Sequence, residues 1–83
     1  MSSCCYILYS ATLNKYYIGS TADIERRLNE HNRGKAKFTA TGIPWLLVYQ
    51  ESFAELKQAR QRELYIKKMK SRKFIEALIR LAE

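Results

Sequence analysis

Five residues whose side chains are suited to phosphodiester chemistry are spread along this chain of 83 residues: Tyr6, Tyr17, Arg27, His31 and Glu63. Phenol and imidazole groups can carry protons, and a guanidinium can hold a phosphate with its planar fork. A carboxylate can hold a hard divalent cation. Together these groups could supply the proton acceptor, the phosphate clamp, the second proton carrier and the metal ligand that cleavage of a phosphodiester requires.

The two tyrosines are predicted to lie on one β-hairpin. Residues 5–9 and 15–18 are rich in strand-forming residue types, and the polar segment 10–14 between them suits a turn. With an antiparallel pairing whose turn is centred between residues 11 and 12, Tyr6 lies opposite Tyr17, and directly opposed residues project from the same face of a sheet. The sequence therefore predicts that the two phenols share one site.

A helix is predicted to follow the hairpin, with Ser20 or Thr21 as its cap. Arg27 and His31 are four residues apart, so they lie one turn apart on one face of this helix. Gly19 stands where strand gives way to helix, and the lack of a Cβ there would let backbone or substrate approach closely. Arg27, the candidate phosphate clamp, and His31, the candidate second proton carrier, are therefore predicted to project from the same side of the helix.

The rest of the chain predicts one more strand and two more helices. The glycine, asparagine and basic residues of segment 32–42 predict a mobile basic loop. Residues 45–49 are an apolar run that we interpret as a third, central strand. Residues 54–69 contain no Gly or Pro and favour a helix, and Ser71 caps a last one. The core-facing stripe predicted for this last helix consists of Phe74, Leu78 and Leu81.

The resulting order of elements is β-β-α-β-α-α. Such an order predicts an α+β fold, with a three-stranded antiparallel sheet flanked by helices. The length of 83 residues is that of one small domain, so we expect a single domain over residues 1–83. This sheet and its helices must bring the five candidate side chains together.

Glu63 is predicted to face the body of the protein. Ala59 and Ile66 mark the inward stripe of its helix, and Glu63 lies within that stripe by helical periodicity. Burial of an unpaired ionised carboxylate costs several kcal/mol, so a compensating cation is expected. Two interpretations remain open from the residues alone, a salt bridge to Arg27 or Lys67 and a ligand for a divalent metal.

The charge of the chain favours a polyanionic partner. Fifteen Lys and Arg against eight Asp and Glu give a net charge of +7, of which residues 35–83 contribute +6 and residues 1–34 only +1. Such an excess attracts nucleic acid, although many small proteins are basic only for solubility. Eight bases and one acid lie between residues 57 and 73, in a run that could equally be a solvated face. The residues predicted to contact phosphates without reading sequence are Lys35, Lys37, Lys57, Arg60, Lys67, Lys68, Lys70, Arg72 and Lys73.

The cysteines and the apolar segments indicate the compartment. Cys4 and Cys5 are adjacent, which disfavours a bridge between them, and two cysteines with one histidine do not match a zinc site. The N-terminus lacks the features of a secretion signal, and no run approaches the ~20 apolar residues of a membrane span. We therefore expect a soluble protein of the reducing cytoplasm that is not attached to membranes.

Two motifs give the chain a recognisable family resemblance. The first is the triplet Tyr17-Ile18-Gly19, eleven residues after Tyr6, and the second is the segment 19–31, Gly-Ser-Thr-Ala-Asp-Ile-Glu-Arg-Arg-Leu-Asn-Glu-His. In this order and spacing, from about residue 6 to about residue 73, the chain resembles the GIY-YIG nuclease superfamily. Its members include homing endonucleases, some restriction enzymes and the incision subunit of bacterial excision repair.

The resemblance implies a role for each candidate residue. Tyr6 would take the proton from the attacking water, and Tyr17 would align phosphate or water. Arg27 is at the position of the family's invariant arginine and would stabilise the pentavalent intermediate. His31 matches a histidine that assists proton transfer or contacts phosphate in several members. Glu63 would hold the single divalent ion, Mg²⁺ or Mn²⁺, and Gly19 would lie against the nucleic acid.

Two positions depart from the family pattern. Cys4-Cys5 precede Tyr6 where the family's first triplet usually begins Gly-Ile, and residues 74–76 are Phe-Ile-Glu where many members carry an asparagine. The resemblance implies a DNA endonuclease that acts on branched or damaged DNA or gains specificity from a partner protein. The alternatives are a non-catalytic nucleic-acid binding module with the same fold, and a basic structural or partner-interaction domain that binds no nucleic acid.

Overall fold

The computed structural model describes residues 2–34 and 39–82. The predicted phosphate-binding residues Lys35 and Lys37 therefore lie outside the described residues. The predicted element order β-β-α-β-α-α is confirmed, with one additional turn of 3-10 helix before the third strand. The elements are β1 (Ser3–Ser10), β2 (Lys15–Thr21), α1 (Ile24–Asn32), the 3-10 turn (Ala40–Gly42), β3 (Trp45–Phe53), α2 (Leu56–Met69) and α3 (Arg72–Ala82).

The sheet is antiparallel and three-stranded, as predicted, but its central strand is β1. The strand order is β2-β1-β3, so the prediction that residues 45–49 form a central strand is wrong. Seven of the eight residues of β1 are buried, whereas Leu46 and Leu47 in the apolar run of β3 are exposed. The first apolar run is thus the one that packs on both faces of the sheet. This places both β2 and β3 at edges.

The hairpin register differs from the predicted one by two residues. Tyr6 pairs with Gly19 and Tyr17 pairs with Leu8, so the two tyrosines are not directly opposed. The turn occupies residues 11–14, so its centre lies one residue later than expected, and Asn14 at its end has a φ of 52° in the left-handed region. A displacement of two residues preserves the alternation of side chains. The two phenols therefore still share a face, with their ring centroids 6.4 Å apart.

Each face of the sheet packs against different helices. On one face, Tyr6, Leu8 and Trp45 pack with Ile24 and Leu28 of α1. The other face carries a second core cluster, formed by Cys5, Ile7, Ile18 and Ile66, with α3 packed against it. Alternate side chains of one strand thus enter two separate cores, so neighbouring residues of β2 reach opposite sides of the molecule.

The inward face of α3 is shorter than predicted. Phe74 and Leu78 pack against the sheet as predicted, together with Ile75. Leu81 is 85% exposed, so its inclusion in the core-facing stripe is wrong. Periodicity places Leu81 on the same side of the helix, but the packed residues end at Leu78. The last turn therefore lies beyond the core that the sheet provides.

The helix caps agree with the prediction in one of two cases. Ser71 caps α3, since its Oγ accepts a hydrogen bond from the backbone N–H of Phe74 at 3.1 Å. The cap of α1 is Asp23, whose carboxylate accepts from the backbone N–H of Arg26 at 3.1 Å, and not either of the predicted residues. Thr21 is the last residue of β2 and instead accepts from the backbone N–H of Asp23. Among the helices described, none has the length and apolar character needed to cross a membrane.

Gly19 is required by the position of Tyr6, and this generates a prediction about stability. A Cβ at residue 19 would lie 2.5 Å from the Tyr6 hydroxyl oxygen and 2.6 Å from Cζ. The phenol is rigid and only 1% exposed, so it has little room to move away. We expect Gly19→Ala to lower the free energy of unfolding by about 1–3 kcal/mol, the usual cost of overpacking. Urea denaturation measures this change.

The matched control is the same substitution in a Tyr6→Leu background. Removal of the phenol removes the atoms that the new methyl group meets, so Gly19→Ala should cost clearly less there than in the wild-type chain. An equal cost in both backgrounds would show that the glycine is needed for another reason.

Candidate functional site

The Tyr6 phenol lies at the centre of the site. It projects from the central strand β1 towards α1, and its hydroxyl oxygen lies 3.3 Å from Nε2 of His31. The Arg27 guanidinium lies close enough to this oxygen to lower the pKa of the phenol. Gly19, directly opposite on β2, provides the space for the ring. The structure thus brings one phenol, one imidazole and one guanidinium together at one oxygen atom.

Burial controls the ionisation of Tyr6. It raises the pKa of the phenol to about 12, an effect that the Arg27 hydrogen bond only partly offsets. The neighbouring Tyr17 and the Glu63 carboxylate add to the increase. The neutral phenol is therefore the form present at neutral pH, and Tyr6 on its own is a weak base.

His31 is fully buried and is held from both of its ring nitrogens. Nε2 faces the Tyr6 hydroxyl, and Nδ1 lies 2.8 Å from the Thr39 hydroxyl oxygen. Burial lowers the pKa of the imidazole, the positive charge of Arg27 lowers it further, and Glu30 opposes both effects. The ring is therefore neutral at pH 7 and has one donor and one acceptor nitrogen.

One tautomer of His31 suits a proton path from Tyr6. With the ring hydrogen on Nδ1, the imidazole donates to the Thr39 hydroxyl, and Nε2 can accept from the Tyr6 hydroxyl. In this tautomer His31 is oriented to accept a proton from Tyr6.

A chain of hydrogen bonds from β3 fixes the position of Thr39. The Trp45 indole Nε1 donates to the backbone oxygen of Thr39 at 2.6 Å. The Asn32 side chain in turn accepts from the backbone N–H of Trp45 at 2.6 Å and donates to its backbone oxygen at 3.1 Å. Thr39 was not predicted from the sequence, because a threonine in a polar loop carries no signal of such a role.

Arg27 is the partly exposed member of this group. Its side chain is 36% exposed, lies beside the Tyr6 and Tyr17 phenols, and pairs with Glu30 at 3.5 Å. The hydrogen bond with Tyr6 is the largest of the effects that raise the pKa of the guanidinium, while burial acts against them. The predicted position of Arg27 and His31 on one face of α1 corresponds to the structure, since both reach Tyr6.

Tyr17 closes the same side of the site. Its ring packs edge-on against His31 with centroids 4.8 Å apart, and against the Trp45 ring at 6.2 Å. It lies on the same face of the sheet as Tyr6 and beside the same guanidinium. Tyr17 and Arg27 are partly exposed, whereas Tyr6 and His31 are not. Solvent and the buried proton carriers are therefore separated by these two side chains.

Glu63 lies on the inward side of α2, as predicted. Ala59 and Ile66 on the same stripe are buried, and the Glu63 side chain is 18% exposed. One carboxylate oxygen accepts from the Ser20 hydroxyl at 2.6 Å, and the other pairs with Lys67 Nζ at 2.6 Å. Of the two ion-pair partners expected, Lys67 is the one observed, while Arg27 pairs with Glu30.

The two parts of the site meet at consecutive residues of β2. Gly19 contacts the Tyr6 phenol on the α1 face, and Ser20 holds Glu63 on the α2 face. The carboxylate is close enough to the phenol for its charge to raise the pKa of Tyr6. Ser20 was predicted only as a possible helix cap. Its alternation with Ile18 along β2 is the sequence signal that places it opposite α2.

The residues present fit a divalent ion held by one carboxylate. Among residues 2–34 and 39–82, no group of three or more His, Cys, Asp or Glu side chains is placed to hold a metal. Glu63 and Ser20 nevertheless offer hard oxygen atoms, and each carboxylate oxygen keeps a further lone pair beyond its present bond. Mg²⁺ commonly binds one or two carboxylates and completes its shell with water and substrate phosphate. Glu63 is the side chain that would hold such an ion.

The predicted phosphate-binding residues differ in their freedom to reach a ligand. Arg72 donates to the backbone and side-chain oxygens of Asn14 at 2.9 and 2.7 Å, and it covers the Tyr16 ring at 5.0 Å. These contacts give Arg72 a structural role at the hairpin turn, and its contact with phosphate stays a prediction. Six others are exposed along α2, α3 and the link between them: Lys57, Arg60, Lys67, Lys68, Lys70 and Lys73.

Comparison with known proteins agrees with this geometry. Residues 2–75 match the family of GIY-YIG catalytic domains. The chain is 47% identical over 55 residues to the UPF0213 protein SH2523 of Staphylococcus haemolyticus, covering 65% of this chain and 67% of that one. It is 41% identical over 61 residues to the UPF0213 protein YazA of Bacillus subtilis, covering 72% and 62%.

A solved structure extends the likeness to the whole fold. The solution NMR structure of the UPF0213 protein BH0048 from Bacillus halodurans matches with a TM-score of 0.61 at 34% identity, covering 98% of this chain and 85% of that one. The matched segment spans 67% of the staphylococcal relative and 62% of the Bacillus subtilis relative. The family match, these relatives and the shared fold together show that the chain belongs to the GIY-YIG family, which implies nuclease-type activity on nucleic acid.

Proposed function

We propose that this protein is a DNA endonuclease that hydrolyses phosphodiester bonds with one divalent metal ion, in a single domain over residues 1–83. The observation that carries the proposal is the convergence at β2. Tyr6, His31 and Arg27 meet against Gly19 on one face, and Glu63 is held at Ser20 on the other. A phosphate at this strand edge has a clamp, a proton path and a carboxylate within reach.

Arg27 has two tasks in this proposal. In the free protein its guanidinium lies beside the Tyr6 and Tyr17 phenols, close enough to interact with both hydroxyl groups. A phosphate competes for the same donors, because charge-assisted bonds from a guanidinium to phosphate are stronger than those to neutral phenols. As the guanidinium turns to the phosphate it uncovers the Tyr6 oxygen and stabilises the charge that develops on the phosphorus oxygens.

Tyr6 and His31 form the proton path. A phenol with a pKa of about 12 is a poor acceptor, but Tyr6 can take the proton of the attacking water while it passes its own proton to Nε2 of His31. No phenolate has to accumulate in this exchange. Thr39 stabilises the imidazolium that forms, because it accepts from the other ring nitrogen.

Glu63 would hold Mg²⁺ or Mn²⁺ beside this path. When bound, the ion neutralises charge on phosphate oxygens. The contribution of the chain is a partly buried carboxylate whose position is set by Ser20. Lys67 shares one oxygen of that carboxylate, so it competes with the ion in the free protein.

A non-catalytic nucleic-acid binding module is the second candidate. The observation in its favour is that Phe74, at the region where many family members carry an asparagine, packs into the second core with Ile75. An apolar residue packed there gives the site no polar substitute for that amide. Both candidates use the exposed cations of α2 and α3 for binding DNA, including branched or damaged DNA, and both leave room for a protein partner that supplies specificity.

The first prediction separates these candidates. We expect Glu63→Gln and Arg27→Ala each to lower the rate of cleavage at least about 100-fold, because each removes charge stabilisation at the phosphate. Binding should be retained in both. The measurement combines nicking of plasmid, branched and single-stranded DNA in Mg²⁺ or Mn²⁺ with fluorescence anisotropy for binding.

Arg26→Ala is the matched control, since Arg26 carries the same charge on the same helix but is exposed. It should cleave at the wild-type rate. Unchanged cleavage in the purified Glu63 or Arg27 variant would refute the assignment, and binding without cleavage in the wild type would favour the second candidate.

The proton path predicts that Tyr6 and His31 act as one unit in catalysis. Tyr6→Phe and His31→Asn should each slow cleavage, and the double variant should be no slower than Tyr6→Phe, because His31 acts only through the phenol. Single-turnover rates at saturating enzyme measure this. Multiplicative losses in the double variant would show that the two side chains act independently.

The burial of His31 also predicts how stability depends on pH. The folded protein has a lowered His31 pKa, so below about pH 6.5 the unfolded chain binds more protons than the folded one. Its contribution is therefore complete above that pH and is lost as the pH falls towards the folded pKa, by at most about 1.4 kcal/mol per pH unit. Urea denaturation at pH 7.5, 6.5 and 5.5 measures it.

His31→Asn provides the control, because His31 is the only histidine of the chain. The variant is expected to be less stable at pH 7.5 but to lose less stability between pH 7.5 and 5.5 than the wild type. An equal loss in both proteins would mean that the buried ring does not titrate in this range.

A further inference from the structure

A groove of about 350 Å³ lies beside the outer edge of β2, where α2 ends and α3 begins. Its floor is formed by Ile18, Ile66 and Ile75, one from each of these three elements. The Tyr16 ring forms a wall; its centroid lies 5.0 Å from that of the Tyr9 ring and 5.0 Å from the Arg72 guanidinium carbon. The groove therefore offers an apolar surface of the size that accommodates one small planar group.

The rim of this groove is strongly cationic. Four of its ten lining residues are basic and none is acidic; the basic ones are Lys15, Lys67, Lys70 and Arg72. Arg72 is held by Asn14 and pairs with Glu76 at 3.4 Å, and Lys67 pairs with Glu63 at 2.6 Å. Lys15 and Lys70 are exposed and form no ion pair among the described residues. An apolar floor beneath such a rim is complementary to a ligand that combines a flat apolar body with negative charge.

The groove is continuous with the candidate active site. Ser20, Ile18 and Tyr16 follow one another on the same face of β2, at a spacing of about 7 Å for each pair of residues. Ser20 holds Glu63, and Lys67, one helical turn further along α2, both pairs with Glu63 and lines the groove. A DNA strand that passes along this edge from Glu63 reaches the groove at once.

We propose that the groove binds an unpaired nucleotide of the DNA strand that is to be cleaved, with its base against the isoleucine floor and its phosphates at the cationic rim. This inference rests on the function proposed above and specifies its substrate. A base within a duplex has its faces covered by its neighbours, so only an unstacked nucleotide can bury a face in a concave apolar site. The protein thus selects DNA with a single-stranded segment beside the scissile phosphate.

The test measures binding of the full-length wild-type chain by fluorescence anisotropy without divalent metal, so that cleavage does not interfere. Three probes share one duplex: one is blunt, one carries a three-nucleotide overhang, and one carries the same overhang with its bases removed. The expected result is about tenfold tighter binding of the overhang than of the blunt duplex, with most of this preference lost in the abasic probe. Equal affinity for the overhang and abasic probes overturns the proposal.

Amino-acid substitutions distinguish the contribution of the apolar floor to binding from that of the cationic rim. Ile75→Ala should abolish the preference for the overhang and leave the affinity for the blunt duplex unchanged. The matched control is Ile79→Ala, four residues further along α3 and outside the groove, which should keep the preference. Lys70→Ala should weaken binding of the overhang probe. It should also reduce the slope of the logarithm of affinity against the logarithm of salt concentration by about one. If both isoleucine variants behave alike although both are folded by circular dichroism, the groove is not the site.

The outcome can be told apart from failure of the proposed function. Glu63-dependent cleavage with no preference for unpaired nucleotides would refute the proposal for the groove but not the proposed endonuclease function. Preference for the overhang without any cleavage would support the proposal for the groove and refute the endonuclease function. An acidic, leucine-rich peptide serves as a competitor of the overhang probe. If it displaces the probe, and if Ile75→Ala weakens binding of the peptide but not of the DNA, that result would assign the groove to a protein partner instead.

Discussion

The close packing of the Tyr6 phenol on Gly19 is the contact on which the rest of the site depends. A phenol can occupy this position only because its neighbour on β2 has no Cβ. That position sets the distance from the hydroxyl to His31 and its proximity to Arg27, since both side chains come from the single helix α1. One missing methyl group thus decides whether three functional groups of two elements meet at one oxygen atom.

The buried part of the site is stable because it is neutral and completely hydrogen-bonded. Within the described residues, no buried side-chain nitrogen or oxygen lacks a partner. Burial raises the pKa of Tyr6 and lowers that of His31, so both effects favour the uncharged pair. The charge of the site is kept at its partly exposed groups, Arg27 and Glu63. Such a satisfied network holds its members in one arrangement, with charges placed where a ligand can reach them.

The sequence predicts the elements and the faces of this structure better than it predicts their registers. Side-chain alternation placed Tyr6 and Tyr17 on one face despite the error of two residues, because registers that differ by two are equivalent for a hydrophobic pattern. Helical periodicity placed Glu63 correctly for the same kind of reason.

The predictions that failed needed information that is not local. Two apolar runs, at residues 5–9 and 45–49, satisfy the same strand pattern, and only packing on both faces makes the first one central. The sequence predicts Ser20 or Thr21 as the cap of α1, but β2 extends to Thr21, and the cap is Asp23, which directly precedes the helix. Thr39 enters the site only through the path of a loop whose residues carry no periodic signal.

The location of the site on an edge strand explains how its two parts can act on one substrate. Alternate residues of a strand face opposite sides of a sheet, so the groups held at Gly19 and Ser20 belong to different faces. On the central strand β1, the neighbouring strands would separate two such faces completely. β2 has a neighbour on one side only, so a phosphate that lies across its outer edge can meet the α1 face and the α2 face together. The cations that flank this edge, among them Lys15 and Lys67, also oppose its pairing with another strand, because they bring charge to an otherwise open edge. The same open edge that a sheet protein must protect from aggregation is, in this fold, the place where a polyanion can reach both halves of the chemistry.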